Sequence, residues 1–132
     1  MSKSTVVIEE YEGIMAKLAA EGKPCWCVKD EDANRTMFKA YFDSKESGKE
    51  RIDFSDVIWN TDVQPIAEAC RKFGITEFTI SVRQGSLVDE ILPAFQEFGV
   101  TIQRMVKVEV ERPSFRGISE REVINAILMR VA

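Results

Sequence analysis

The run Thr76-Glu77-Phe78-Thr79-Ile80-Ser81-Val82 alternates: Phe78, Ile80 and Val82 fall on one side, and Glu77, Thr79 and Ser81 on the other. A period of two marks a strand. Ser86 then opens a stretch reaching Phe98, in which Leu87, Ile91, Phe95 and Phe98 form an apolar stripe at helical spacing. Asp89, three residues after Ser86, makes a variant of the capping box. Pro93 lies inside this helix and should kink it, since proline removes a backbone donor and clashes with the preceding turn. Gly99 ends it, and Val100 to Glu111 alternates again through Val100, Ile102, Val106, Val108 and Val110. This strand–helix–strand run predicts two neighbouring parallel strands joined by a right-handed crossover.

Two strands alone are marginal. The tail from Val123 to Val131 can supply a third, antiparallel strand after a turn near Pro113 to Gly117. It also fits a helix, with Ser119 and Glu122 as a capping box and Val123, Ile124, Ile127, Leu128 and Val131 at helical spacing. The strand is preferred because the long strand before it needs a partner.

The first half reads as helical. Ser4 or Thr5 can cap a helix from Val6 to Glu21 whose stripe is Val7, Tyr11, Ile14, Met15 and Leu18, stopped by Gly22 and Pro24. Pro24 to Val28 reads as a short extended piece. A second helix is predicted over about Glu31 to Ser44, with Asp30, Glu31 and Asp32 at its positive end and Ala33, Met37, Phe38, Tyr41 and Phe42 as its stripe. Asp43 to Arg51 reads as an exposed connection, and the short apolar pieces 52–54 and 57–59 have no clear assignment. Asp62 can cap a third helix with Pro65 in its first turn and Val63, Ile66, Ala67, Cys70 and Phe73 along one face, stopped at Gly74. The expected fold is α+β: one domain over residues 1–132, N-terminal helices packed on a small mixed sheet of about three strands.

The 132 residues, 45% hydrophobic and 30% charged, are enough for a real core in a single domain. Net charge is −4. The residues from 83 onward carry seven basic and seven acidic side chains, so the deficit (18 − 22 = −4 overall) lies wholly in residues 1–82. A dense basic face for duplex nucleic acid is therefore not expected, although Arg104, Lys107, Arg112 and Arg116 could form a local patch. There is no histidine, which removes Ser-His-Asp and Cys-His catalysis and His-ligated metals. Three cysteines, an odd number, do not suggest a disulfide scaffold and fit reduced thiols in the cytoplasm. No signal peptide and no membrane span are expected: Met1-Ser2-Lys3-Ser4 leads into no long apolar run.

The leading candidate site is Ser81-Val82-Arg83-Gln84-Gly85-Ser86, where the carboxyl end of a strand turns into a helix. Open α/β sheets bind ligands at such places, and free backbone N–H groups there favour an anion. Arg83 would add charge, Gly85 would allow close approach and Ser86 would donate. Ordinary turn chemistry, with Ser86 capping and Arg83 solvated, explains the same residues, and the segment matches neither a dinucleotide fingerprint nor a P-loop. Arg104 stands on the apolar side of its strand, so it pairs with a buried carboxylate, reaches an anionic ligand, or marks a bulge. Cys25-Trp26-Cys27, if extended, turns both thiols to one side near Lys23 and Lys29, but C-x-C lacks the second ligand pair of a zinc site. Cys70 reads as core. Asp30, Glu31, Asp32, Asp53, Asp56 and Asp62 do not follow a calcium loop and read as caps and solvated charge. Trp59 reads first as a core anchor beside a helix start, with an interaction role as the alternative.

The stretch Trp59-Asn60-Thr61-Asp62-Val63-Gln64-Pro65-Ile66-Ala67-Glu68-Ala69-Cys70, followed by Gly74-Ile75-Thr76-Glu77-Phe78-Thr79-Ile80-Ser81, resembles a family of small uncharacterised bacterial proteins, a domain of unknown function. The resemblance spans Val57 to Val110. It implies a bacterial cytoplasmic origin and carries no activity or catalytic residue.

No catalytic or metal motif is recognised, nothing calls for a cofactor, and a small sheet offers edges and apolar faces to a partner. The expectation is a non-enzymatic accessory or interaction protein that self-associates. The alternative is a small anionic-ligand or nucleotide-binding protein, with or without enzymatic activity, using the 81–86 turn and Arg104.

Overall fold

The computed structural model describes residues 7–113 and 119–132, and the side chains of 7–110 and 120–132. The expected caps Ser4 and Thr5 and the residues 114–118 of the expected turn lie outside the described residues.

The first helix, α1, runs over Glu9–Ala20, with Glu9, Glu10 and Glu12 set against the positive end of its dipole. Tyr11 and Leu18 are buried, whereas Val7 precedes the helix and is exposed; Ile8 takes the buried place at its start. The piece expected to be extended is a 3₁₀ turn, Cys25–Cys27. The second helix, α2 (Arg35–Glu46), begins later than expected because Asn34 caps it, accepting from the Met37 N–H at 2.9 Å. Asp30, Glu31 and Asp32 therefore precede the helix and lie exposed.

Strand β1 is only Asp53–Phe54. A 3₁₀ turn at Asn60–Asp62 leads into α3, Val63–Lys72. Asp62 does not cap α3 with its side chain. Its carboxylate instead accepts from the Trp59 N–H at 3.0 Å, the Thr36 hydroxyl at 2.7 Å and the Asn34 amide at 3.0 Å, tying the starts of α2 and α3 together.

Strand β2 covers Glu77–Ile80. The following helix does not run straight through. Residues Leu87–Ile91 form a π turn, and α4 starts at Leu92 with Pro93 in its first turn. Proline has no N–H to donate and crowds the carbonyl four residues back, so the chain widens before it and the α pattern begins where the missing donor costs nothing.

Strands β3 (Val100–Pro113) and β4 (Ser119–Val131) form a long antiparallel hairpin, which settles the tail as strand. The sheet of the described residues has four strands, in the order β1-β2-β4-β3. The expectation that β2 and β3 are neighbours is thus corrected. They run the same way, but β4 lies between them, antiparallel to both. Ala126, Leu128 and Met129 of β4 are at most 1% exposed. A strand so apolar on both faces belongs in the middle of a sheet, and a short return places it beside β3.

One face of the sheet carries Phe54, Phe78 and Ile80, and the aromatic rings run Phe54–Phe78–Phe95 at 5.1 and 5.6 Å, linking β1, β2 and α4. A second aromatic cluster holds the helices: Tyr11 meets Phe38, Tyr41 and Phe73 edge-on at 5.3–5.5 Å. The Tyr41 hydroxyl accepts from the Ile8 N–H and donates to Glu12. The domain is α+β, as the sequence predicts.

Candidate functional site

Three places hold the chemistry. The first lies on the sheet face opposite Phe54 and Phe78. Among the described residues, four polar or charged side chains are buried, namely Ser44, Asp53, Thr79 and Ser81, and they form one network. Parallel pairing sets Asp53 beside Thr79, and Ser81 follows two residues on along the same face. The Thr79 and Ser81 hydroxyls each donate to the Asp53 carboxylate at 2.7 Å, and Lys49 Nζ lies 3.0 Å from it. Ser44 Oγ accepts from the Asp53 N–H at 2.9 Å. A buried carboxylate needs a counter-charge and donors, and this one has both. Beside it a cleft of about 290 Å³ separates residues 47–51 from Lys107, Val108 and Glu109 of β3, with Asp53 and Thr79 also lining it.

The second place is the 81–86 turn. Ser81 belongs to the network just described. Arg83 lies across β4: its guanidinium donates to the Asn125 carbonyl at 2.6 Å and to the Ser81 carbonyl at 3.4 Å. Gln84 clips the turn to the chain before α3, accepting from the Ile58 N–H at 2.8 Å and donating to the Ile58 carbonyl at 3.0 Å. Its amide also donates to Ser86 Oγ at 2.9 Å, so Ser86 makes no side-chain cap. Gly85 has open space where a Cβ would point. The polar groups of the turn thus bind one another. Gln84, which carries most of that load, gave no sequence signal beyond its type.

The third place is the outer edge of β3. A register shift between Ile102 and Arg104 inserts a bulge. It separates residues that strict alternation put together: Val100 and Ile102 share a face with Met105, Lys107 and Glu109, whereas Arg104, Val106, Val108 and Val110 share the other. Arg104 is exposed, which fits the bulge among the three readings of it. Arg104 and Lys107 stand on opposite faces, so the basic patch is not gathered by this strand; Arg116 and the side chain of Arg112 lie outside the described residues. Ile102 and Met105 are each 54% exposed. An open groove lined by Val88, Leu92, Pro93, Val100 and Ile102 runs beside them.

The cysteines do not form a pair. The 3₁₀ turn leaves Cys25 half-buried and Cys27 exposed, which corrects the expectation of two thiols on one side. Burial and the nearby Asp43 push the Cys25 thiol up, and burial pushes Cys70 up to about 12. Low-pKa thiolate chemistry has no support at either. Among the described residues, no group of three or more Cys, Asp or Glu is arranged to hold a metal ion, and no helix is long and apolar enough to cross a membrane. Trp59 is exposed just before α3, which corrects its reading as a core anchor; Trp26, in the 3₁₀ turn Cys25–Cys27, is exposed as well.

Residues 36–131, from the first turn of α2 to the end of β4, match the family described as "Domain of unknown function (DUF7698)", and the chain belongs to that family. No curated protein and no solved structure matches the chain.

Proposed function

For this member of a family without an assigned activity, we propose a non-enzymatic interaction protein that self-associates through the outer edge of its sheet. One observation carries the reading. The long edge strand, β3, has 14 residues, pairs on one side only among the described residues, and exposes two large apolar side chains beside an open groove. Such an edge offers a row of unsatisfied N–H and C=O groups to another strand. Proteins usually blunt such edges. Here a bulge blunts only the beginning, at Ile102–Arg104, and the register is regular from Arg104 to Pro113. The anionic-ligand alternative is less well supported, because Arg83 and Ser86 are engaged inside their own turn.

Native mass spectrometry, followed by the same measurement after denaturation, tests the proposal. A multimer of unmodified chains is expected. A monomer carrying a mass that leaves on denaturation would favour ligand binding instead.

A further inference from the structure

We infer that the second copy adds directly to β3: two β3 strands meet antiparallel across a two-fold axis at Val108, joining the two sheets into one. This rests on the self-association proposed above and specifies its register.

Symmetry limits the choices. Two antiparallel neighbours in one continuous sheet are related by a two-fold axis perpendicular to it, so one residue faces its own copy and side chains opposite each other share a face. With the axis at Val108, Lys107 stands opposite the partner's Glu109 and Glu109 opposite the partner's Lys107. On the other face, Val106 stands opposite the partner's Val110. A shift of one residue sets Lys107 against Lys107 or Glu109 against Glu109, and like charges directly opposite are unfavourable. Over the central five residues the Val108 register pairs opposite charges with no like pair. Outside them Arg104 stands opposite the partner's Arg112, four residues from the axis; Arg104 is exposed, so water screens its charge.

The structure leaves these side chains ready for such pairing. Lys107 has no hydrogen-bond or ion-pair partner among the described residues. Glu109 meets Arg121 at 3.4 Å, with both more than half exposed. Val106, Val108 and Val110 are all half-buried, so an added strand would cover apolar surface as well as pair charge.

The test is a charge exchange followed by sedimentation velocity. Lys107→Glu and Glu109→Lys each convert both cross-pairs to like charges, so each alone should associate about tenfold more weakly than wild type. Mixed in equal amounts, the two variants should associate with each other, because every pair is again opposite. The double variant K107E/E109K should associate as wild type does. In a background where Cys25 and Cys27 are serine, Val108→Cys should give a covalent dimer on mild oxidation, since it faces its own copy at bridging distance. If wild type associates but the single variants are unaffected, or the mixture fails to recover, the register is wrong while self-association stands. If wild type is monomeric at high concentration, both fall.

Discussion

The two ends of the β3–β4 hairpin are built from the same kind of alternating sequence and are buried very differently. Near the start of β3, Val100, Met129 and Val131 are at most 9% exposed, covered by α4 and continuous with the aromatic string of Phe54, Phe78 and Phe95. A few residues farther along the same face, Ile102, Met105 and Val123 are each more than half exposed. Alternation decides which side chains share a face, but the layer laid over that face decides whether they are buried. Among the described residues the helices end before the hairpin does, and its far end is left uncovered.

Substitutions at the two ends should therefore differ in what they damage. Phe78→Ala, in the covered region, should cost about 3–5 kcal/mol in chemical denaturation. Asp53→Ala should cost a comparable amount, because it leaves the buried Thr79 and Ser81 hydroxyls without their acceptor, at about 1–3 kcal/mol for each. Gly99→Ala should lose on the order of 1–3 kcal/mol. Gly99 has φ +78°, and an added Cβ would lie 2.7 Å from the Arg71 guanidinium, which donates to the carbonyls of Phe98 and Ala132. Met105→Glu, at the uncovered end, should shift unfolding by less than about 0.5 kcal/mol. It should still weaken self-association, and a variant that both unfolds easily and associates normally would reverse the contrast.

The smallest effect concerns pH. Hydrogen bonds from Lys45 and Tyr41 hold the Glu12 carboxyl below its ordinary range. A depressed folded value means that this stabilisation is fully present above the ordinary carboxylate range and is lost as pH falls through the folded value. Glu12→Gln should therefore flatten the acid limb of a stability–pH curve slightly, since Glu12 and Lys45 are each about a third exposed and water screens the pair. An unchanged limb would count against the Tyr41–Glu12–Lys45 cluster as a stabilising contact.

Most of the architecture was legible in the sequence. The helical stripes of α1, α2 and α3, the alternation of β2 and the presence of β3 as a strand came from residue spacing alone, whereas the faces of β3 did not. Strand order did not, because adjacency depends on non-local pairing; only the nearly unbroken apolar run Ala126-Ile127-Leu128-Met129 hinted that the last strand lies in the middle. Of the candidate site residues, Ser81 proved part of a buried network, but its partner Asp53 read as one of several solvated acids. Nothing local to Asp53 shows that a two-residue strand will press it against Thr79 and Ser81. The bulge at Ile102–Arg104 was signalled only by a charge standing where alternation called for an apolar side chain. Once that bulge is placed, Met105, Lys107 and Glu109 come onto one face, and the edge reading follows.

Hydrogen–deuterium exchange of β3 as a function of protein concentration tests the central claim most directly. In the single chain, the amides of β3 that point away from β4 have no strand partner and should exchange quickly. Protection across residues 104–110 is expected to rise with concentration, while β1 and β2 stay unchanged. Association that protects another surface and leaves these amides exchanging freely would contradict it.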